Sequence, residues 1–168
     1  MPVLVAWVAS ETRTRPTPVS QALLVALVFS FLGDVFLMIP GDLFLWGLGS
    51  FLVGHLAYIV AFWMRPPGAP RPTEVPRGGV SLMLPIHFYA AATIAYLLPH
   101  LGDMRTPVLL YLAVIFAMGL TSVLRRGRVS SRSFWPVYAG ACTFMVSDSI
   151  IALDRFVEPV PYGQVLIM

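Results

Sequence analysis

The chain contains no lysine, one cysteine and few charged residues of any kind. A single cysteine, Cys142, rules out an intramolecular disulfide and a cysteine metal cluster. It stands six residues from Asp148, a spacing that puts the two on different helix faces, so it reads as a small core residue. Only 11% of residues are charged, where an ordinary soluble domain has roughly 25%. Hydrophobic residues make up 58% and mean hydropathy is +0.81, which excludes the soluble class and identifies an integral membrane protein. Also missing is the alternation over about 10 residues that marks a membrane barrel strand. Continuous runs such as VSQALLVALVFSFLGDVFLMI predict an all-α, polytopic helix bundle instead.

Five segments are long enough to cross a hydrocarbon core that needs about 20 apolar helical residues. They are residues 19–39, 43–64, 79–99, 106–124 and 134–153, and Asp34 and Asp148 are the only charged residues within them. Both ends suggest partial helices: MPVLVAWVAS is too short to span, and PVPYGQVLIM begins an apolar run that stops at Met168. MPVLVAWVAS also lacks the basic start and cleavage site of a secretory signal. The expectation is one membrane domain over residues 1–168, cut from a larger bundle.

Arginine sets the orientation. If residues 10–18 are cytoplasmic, nine arginines (13, 15, 65, 71, 77, 125, 126, 128 and 132) lie inside, against Arg105 and Arg155 outside. The net charge of +3 then reflects topology and anionic lipid headgroups and does not point to nucleic acid. All-arginine usage fits a bacterial cytoplasmic membrane. Residues 65–79, with five prolines and three glycines, predict a stiff cytoplasmic connector. Residues 125–133, RRGRVSSRS, predict a second basic loop whose role is orientation. The turn at Pro40, Gly41 and Asp42 is so short that its flanking helices must pair antiparallel.

Asp34 and Asp148 are the residues that most need a reason. An Asp at a helix centre costs roughly 2.5–3.5 kcal/mol on insertion scales, so it normally faces a polar interior and has a task there. Ser30, Gly33, Asp34 and Leu37 share one helix face, and Gly140, Phe144, Ser147, Asp148 and Ile151 share another. Small neighbours let helices approach, so both carboxylates are expected to look into the bundle. Each lies five residues before the outer end of its segment, or about 7.5 Å at 1.5 Å per residue, which predicts equal depth.

The segment GLGSFLVGHLAYIVAF adds His55 and Tyr58, three residues apart on a stripe with Gly47 and Gly54. His55 and His87 come out deeper than the carboxylates, and His100 falls in an outer loop. Plain structural readings stand beside these: a buried Asp can bond a neighbouring helix, a His beside Gly can be an interhelical hydrogen-bonder, and Tyr58, Tyr89 and Tyr96 can be packing or interfacial anchors. Two carboxylates in one desolvated pocket would supply a general acid and a general base. The same pair would serve a proton relay, so a proton-coupled transporter or lipid carrier is the alternative. No pair has the spacing of a familiar metal-ligand motif, and neither a metal nor another cofactor is expected.

Three segments carry a resemblance to a known family. FSFLGDVFLM (29–38) holds SxxGDxxL, GLGSFLVGHLAYIVAF (47–62) holds GxxxFxxGHxxY, and FMVSDSIIALDRF (144–156) holds SDxxxAxxRF. Together they resemble the signature segments of the YhhN family, whose animal members include lysoplasmalogenases. The resemblance implies roughly eight helices and hydrolysis of the vinyl-ether bond of a lysoplasmalogen, a membrane lipid, to a fatty aldehyde and a glycerophospho-base. On that basis Asp34 and Asp148 are the expected catalytic residues, with His55, Tyr58, Ser30 and Ser147 at the substrate.

Overall fold

A computed structural model describes residues 2–14, 16–64 and 75–157. Among these the chain is helix and turn with no strand, so the protein is all-α. The helices are α1 Pro2–Thr14, α2 Pro18–Met38, α3 Phe44–Trp63, α4 Gly79–Leu97, α5 Arg105–Val123 and α6 Ser131–Phe156, with two short 3₁₀ turns between α4 and α5. The last five are long and apolar enough to cross a bilayer, one 3₁₀ turn extending α4 and the other α5. This is a multi-pass membrane protein. The chain divides into two compact units, Met1–Pro70 and Arg71–Met168.

In the first unit, the apolar start of the chain is helical as expected, and α1 packs on α2. α2 begins where its sequence dictates. Thr17 accepts from the Ser20 backbone N–H at 3.0 Å while the Thr17 backbone N–H donates to Ser20 Oγ, and Pro18 fits the first helical position because its missing N–H would be unused there. The helix stops at Met38 before Pro40, and Gly41 at φ 134° reverses the chain into α3.

α2 and α3 form the antiparallel pair that the short turn requires, and glycine sets how closely they approach. A β-carbon on Gly54 would stand 3.1 Å from Ser30 Oγ and 3.2 Å from the Ala26 carbonyl oxygen. One on Gly33 would fall 2.7 Å from the Phe51 ring, and one on Gly47 would fall 3.0 Å from Leu37.

In the second unit, α5 packs against both α4 and α6 and is the most buried of the three. Met145 of α6 and Ile86 of α4 converge over Gly119, where an added β-carbon would lie 2.6 Å from Met145 Sδ. Pro85 lies inside α4, and near it the Tyr138 hydroxyl of α6 donates to the Leu82 carbonyl at 3.1 Å, linking the two helices.

The basic stretch 125–133 has a structural part to play. Arg126 Nη1 donates to the Gly78 carbonyl at 2.8 Å, tying the α5–α6 turn to the start of α4. Most of the proline-rich connector, residues 65–74, and the apolar end, residues 158–168, lie outside the described residues.

The spans read from sequence agree with the helices to within one or two residues, except at α6. That helix starts three residues before the expected 134–153 and ends three after it, because a helix can continue past its apolar stretch into the polar zone. The equal counts for the carboxylates change accordingly: Asp34 is four residues before Met38, and Asp148 is eight before Phe156.

Gly54→Val is expected to lower the melting temperature in detergent, at an overpacking cost of about 1–3 kcal/mol, because its nearest neighbours include backbone. Gly140→Ala, with nothing within 4 Å of the new carbon, should leave melting unchanged or raise it.

Candidate active site

Each unit gathers a group of polar side chains at membrane depth. In the first, the inward face of α2 runs through Ala26, Ser30 and Gly33, at helical spacing. It meets Gly47, Ser50, Phe51, Gly54 and His55 of α3. Ser30 and His55 are both 0% exposed. The His55 ring lies nearly parallel to Phe51, at 24° and 6.4 Å between centroids.

Tyr58 follows one turn later, packs on Phe62 at 5.9 Å and interacts with the Ser30 side chain. That interaction is looser than a formed hydrogen bond: Ser30 Oγ is buried with no partner at hydrogen-bond geometry among the described residues. The structure therefore brings together three of the residues expected at the substrate.

Asp34 is the residue after Gly33, and one residue turns a helix by about 100°. It is accordingly half-buried at the edge of the packed face, while Gly33 occupies its centre.

In the second unit, Asp148 is held differently. It is 7% exposed, and Tyr111 of α5, 5% exposed, donates its hydroxyl to Asp148 Oδ2. The expectation that Asp148 looks inward is met. The face it was placed on needs correction, because the buried residues of α6 are Phe134, Ala141, Met145, Asp148, Ser149 and Ala152. Gly140 is exposed with nothing within 4 Å of where its β-carbon would be, and Ser147 is only half-buried. The helix presents Met145 to the notch at Gly119, which turns the Gly140 stripe aside and leaves Asp148 common to both faces.

The remaining candidates are satisfied locally. His87 Nδ1 pairs with the Met83 carbonyl at 2.8 Å and His100 Nδ1 with the Tyr96 carbonyl at 3.0 Å, each four residues back along the chain, and both histidines are exposed. Tyr89 packs edge-on to Phe116. Cys142 is half-buried beside Tyr138. Among the described residues no three His, Cys, Asp or Glu side chains cluster as metal ligands.

Sequence reasoning missed Tyr111. The available signal was its spacing with Val108, Ile115, Gly119 and Ser122, all buried on one face of α5.

The model of the YhhN family matches residues 1–168. Lysoplasmalogenase TMEM86A of Bos taurus is 36% identical over 156 residues, covering 90% of this chain and 60% of the relative. Lysoplasmalogenase of Mycobacterium tuberculosis (strain CDC 1551 / Oshkosh) is 34% identical over 136 residues, covering 79% and 49%. Lysoplasmalogenase TMEM86B of Homo sapiens is 32% identical over 152 residues, covering 89% and 58%. The chain thus spans between about half and three-fifths of the length of these relatives. No solved structure gives a significant match.

Removing the Ser30 hydroxyl should be tolerated, since a buried hydroxyl without a hydrogen-bond partner costs free energy. Ser30→Ala is expected to keep or raise the melting temperature in detergent, whereas His55→Ala, which empties a fully buried position, should lower it.

Proposed function

The chain belongs to the YhhN family, and from that premise we propose that it is an intramembrane lipid hydrolase that cleaves the vinyl-ether bond of lysoplasmalogens. The observation that carries the proposal is Asp148, a buried, hydrogen-bonded ionisable group on a membrane-spanning helix. Such a residue marks a functional site by default. The names of the curated relatives favour hydrolysis over the transport alternative.

The chemistry needs a proton donor and a proton acceptor. A carboxylic acid protonates the alkenyl carbon remote from oxygen and leaves an oxocarbenium ion. A carboxylate takes a proton from water as the water's oxygen bonds to the cationic carbon, giving a hemiacetal. The hemiacetal collapses: the carbon–oxygen bond to glycerol breaks, the leaving oxygen takes the proton held by the second carboxyl, and the hemiacetal hydroxyl returns its proton to the first. A fatty aldehyde and a glycerophospho-base result, and both carboxyl groups end as they began. Asp34 and Asp148 carry these two roles. His55, Tyr58 and Ser30 in the first unit, and Ser147 in the second, contact substrate.

Several features support this assignment. Asp34 and Asp148 are the only two charged residues within the expected spans, and they lie in two of the three segments on which the family resemblance rests. A lysolipid presents its vinyl ether where the hydrocarbon chain meets the headgroup. That position suits groups embedded in apolar helices but near a helix end, as Asp34 is. The bacterial cytoplasmic membrane, with its excess of inward arginine, is the proposed location.

The test is fatty-aldehyde release from a lysoplasmalogen by purified protein in detergent, read through a coupled alcohol dehydrogenase. Asp34→Asn and Asp148→Asn should each lower kcat at least about 100-fold with unchanged melting, the lower end of what positioned proton transfer contributes. Release that survives both substitutions would refute the carboxylate roles. No release from a well-folded wild type would move the assignment to another lipid.

A further inference from the structure

The geometry points to Tyr111 as a positioning residue, one that holds the Asp148 carboxylate in its working orientation through the α5–α6 hydrogen bond. The inference rests on the role proposed for Asp148 and adds to it the group on which that role depends. Tyr111 lies outside all three segments that carry the family resemblance.

Three observations converge on it. The first is the contact itself: the Tyr111 hydroxyl donates to Asp148 Oδ2 across two helices, 37 residues apart in sequence. Asp148 is 7% exposed and Tyr111 5%, so water competes little for either group.

The second is rigidity. Tyr111 sits on the most buried helix of its unit, between Val108, Leu112 and Ile115, all at most 2% exposed. Its ring therefore has little room to change rotamer. Asp148 stands between Met145, which closes over Gly119, and Ala152, so the backbone that carries it is also fixed.

The third is contrast with other buried polar side chains of the unit. Ser149 Oγ donates to the Met145 carbonyl at 2.8 Å and Ser122 Oγ to the Gly119 carbonyl at 2.6 Å, each within its own helix. A hydroxyl spent on its own backbone fixes nothing on a neighbouring helix. Tyr111 is spent on Asp148.

A carboxylate that takes a proton from water must point its lone pair at that water, and a small misplacement costs rate steeply. An Asp side chain with two free torsions would lose part of its time to unproductive rotamers. A hydrogen bond from a rigid donor removes that loss. The reacting atoms need not touch Tyr111, so its effect belongs in the chemical step and not in substrate affinity.

A double-mutant cycle on the purified protein tests this, read by aldehyde release and by thermal melting. Tyr111→Phe keeps the ring and deletes the donor. It should lower kcat about 10- to 100-fold, the range for a hydrogen bond to a charged group, with KM changed by less than about twofold. In the Asp148→Asn background the residual rate should change by less than about twofold when Tyr111→Phe is added, since the two act as one unit. Asp148→Glu provides a check independent of how well Tyr111→Phe folds: it keeps the charge but moves it one methylene along, and kcat should fall at least about 10-fold.

Wild-type kcat in Tyr111→Phe, or equal losses from Tyr111→Phe in both backgrounds, would overturn the inference. So would a rise in KM at constant kcat, or a fully active Asp148→Glu. Loss of the melting transition in Tyr111→Phe alone would make the hydroxyl a structural clamp, which also overturns it. If Asp148→Asn itself keeps the wild-type rate, the role of Asp148 fails first and this inference with it. If Asp148→Asn is inactive and Tyr111→Phe is not, only the inference fails.

Discussion

Helices in a bilayer gain little from hiding apolar surface, because the lipid tails are as apolar as leucine, and they associate through close packing and a few polar contacts. The whole arrangement of this protein follows from that constraint. In the first unit the axis of contact is a run of positions with no side chain to spare: Gly33 under the Phe51 ring, Gly47 under Leu37, Gly54 against Ser30 and the Ala26 carbonyl. In the second unit the same device works with a longer knob, Met145 over Gly119. Large apolar residues such as Phe88, 74% exposed, and Trp46, 67% exposed, are left for the outer surface, the reverse of a soluble fold.

Close packing also decides which polar groups can do chemistry. A buried serine in a helix usually returns its hydroxyl to a carbonyl three or four residues back, as Ser122 and Ser149 do. Such residues are finished locally. Ser30 does not do so, and it stands where Gly54 leaves space and where Tyr58 approaches from the next helix. Asp148 likewise finds its partner on another helix. The glycines that let the backbones approach are thus also what brings cross-helix polar groups within reach of one another.

Much of this was legible in the sequence, and the part that was not has a common physical cause. Segment ends are marked by Pro40 and Gly41 and by the arginines that flank the apolar runs, so α2 to α5 fall within a residue or two of where hydropathy puts them. Asp34 and Asp148 stand out because a charge in an apolar run is expensive. Rotation about a helix axis is another matter. A soluble helix advertises its inner face by polar residues on the outer one, but a membrane helix is apolar all round, and only small residues remain as a guide. On α2 that guide worked, since Ser30 and Gly33 are buried. On α6 it misled, because Gly140 borders open space while Ala141 and Met145 do the packing. Tyr111 was missed for a related reason: one tyrosine in LLYLAVIF looks like any other apolar residue until its hydroxyl has a partner.

The two carboxylates illustrate what a shared residue type leaves unsaid. Both are aspartates in spanning helices, and spacing alone makes them equivalent. Their surroundings do not. Asp148 is anchored by a donor from a rigid neighbouring helix, whereas Asp34 sits half-buried at the rim of a glycine-lined face. In water such a difference would matter little, because solvent would hydrogen-bond both groups and screen their charges. In a low-dielectric interior each hydrogen bond is electrostatically stronger, so neighbours one helix away set what a carboxylate can do.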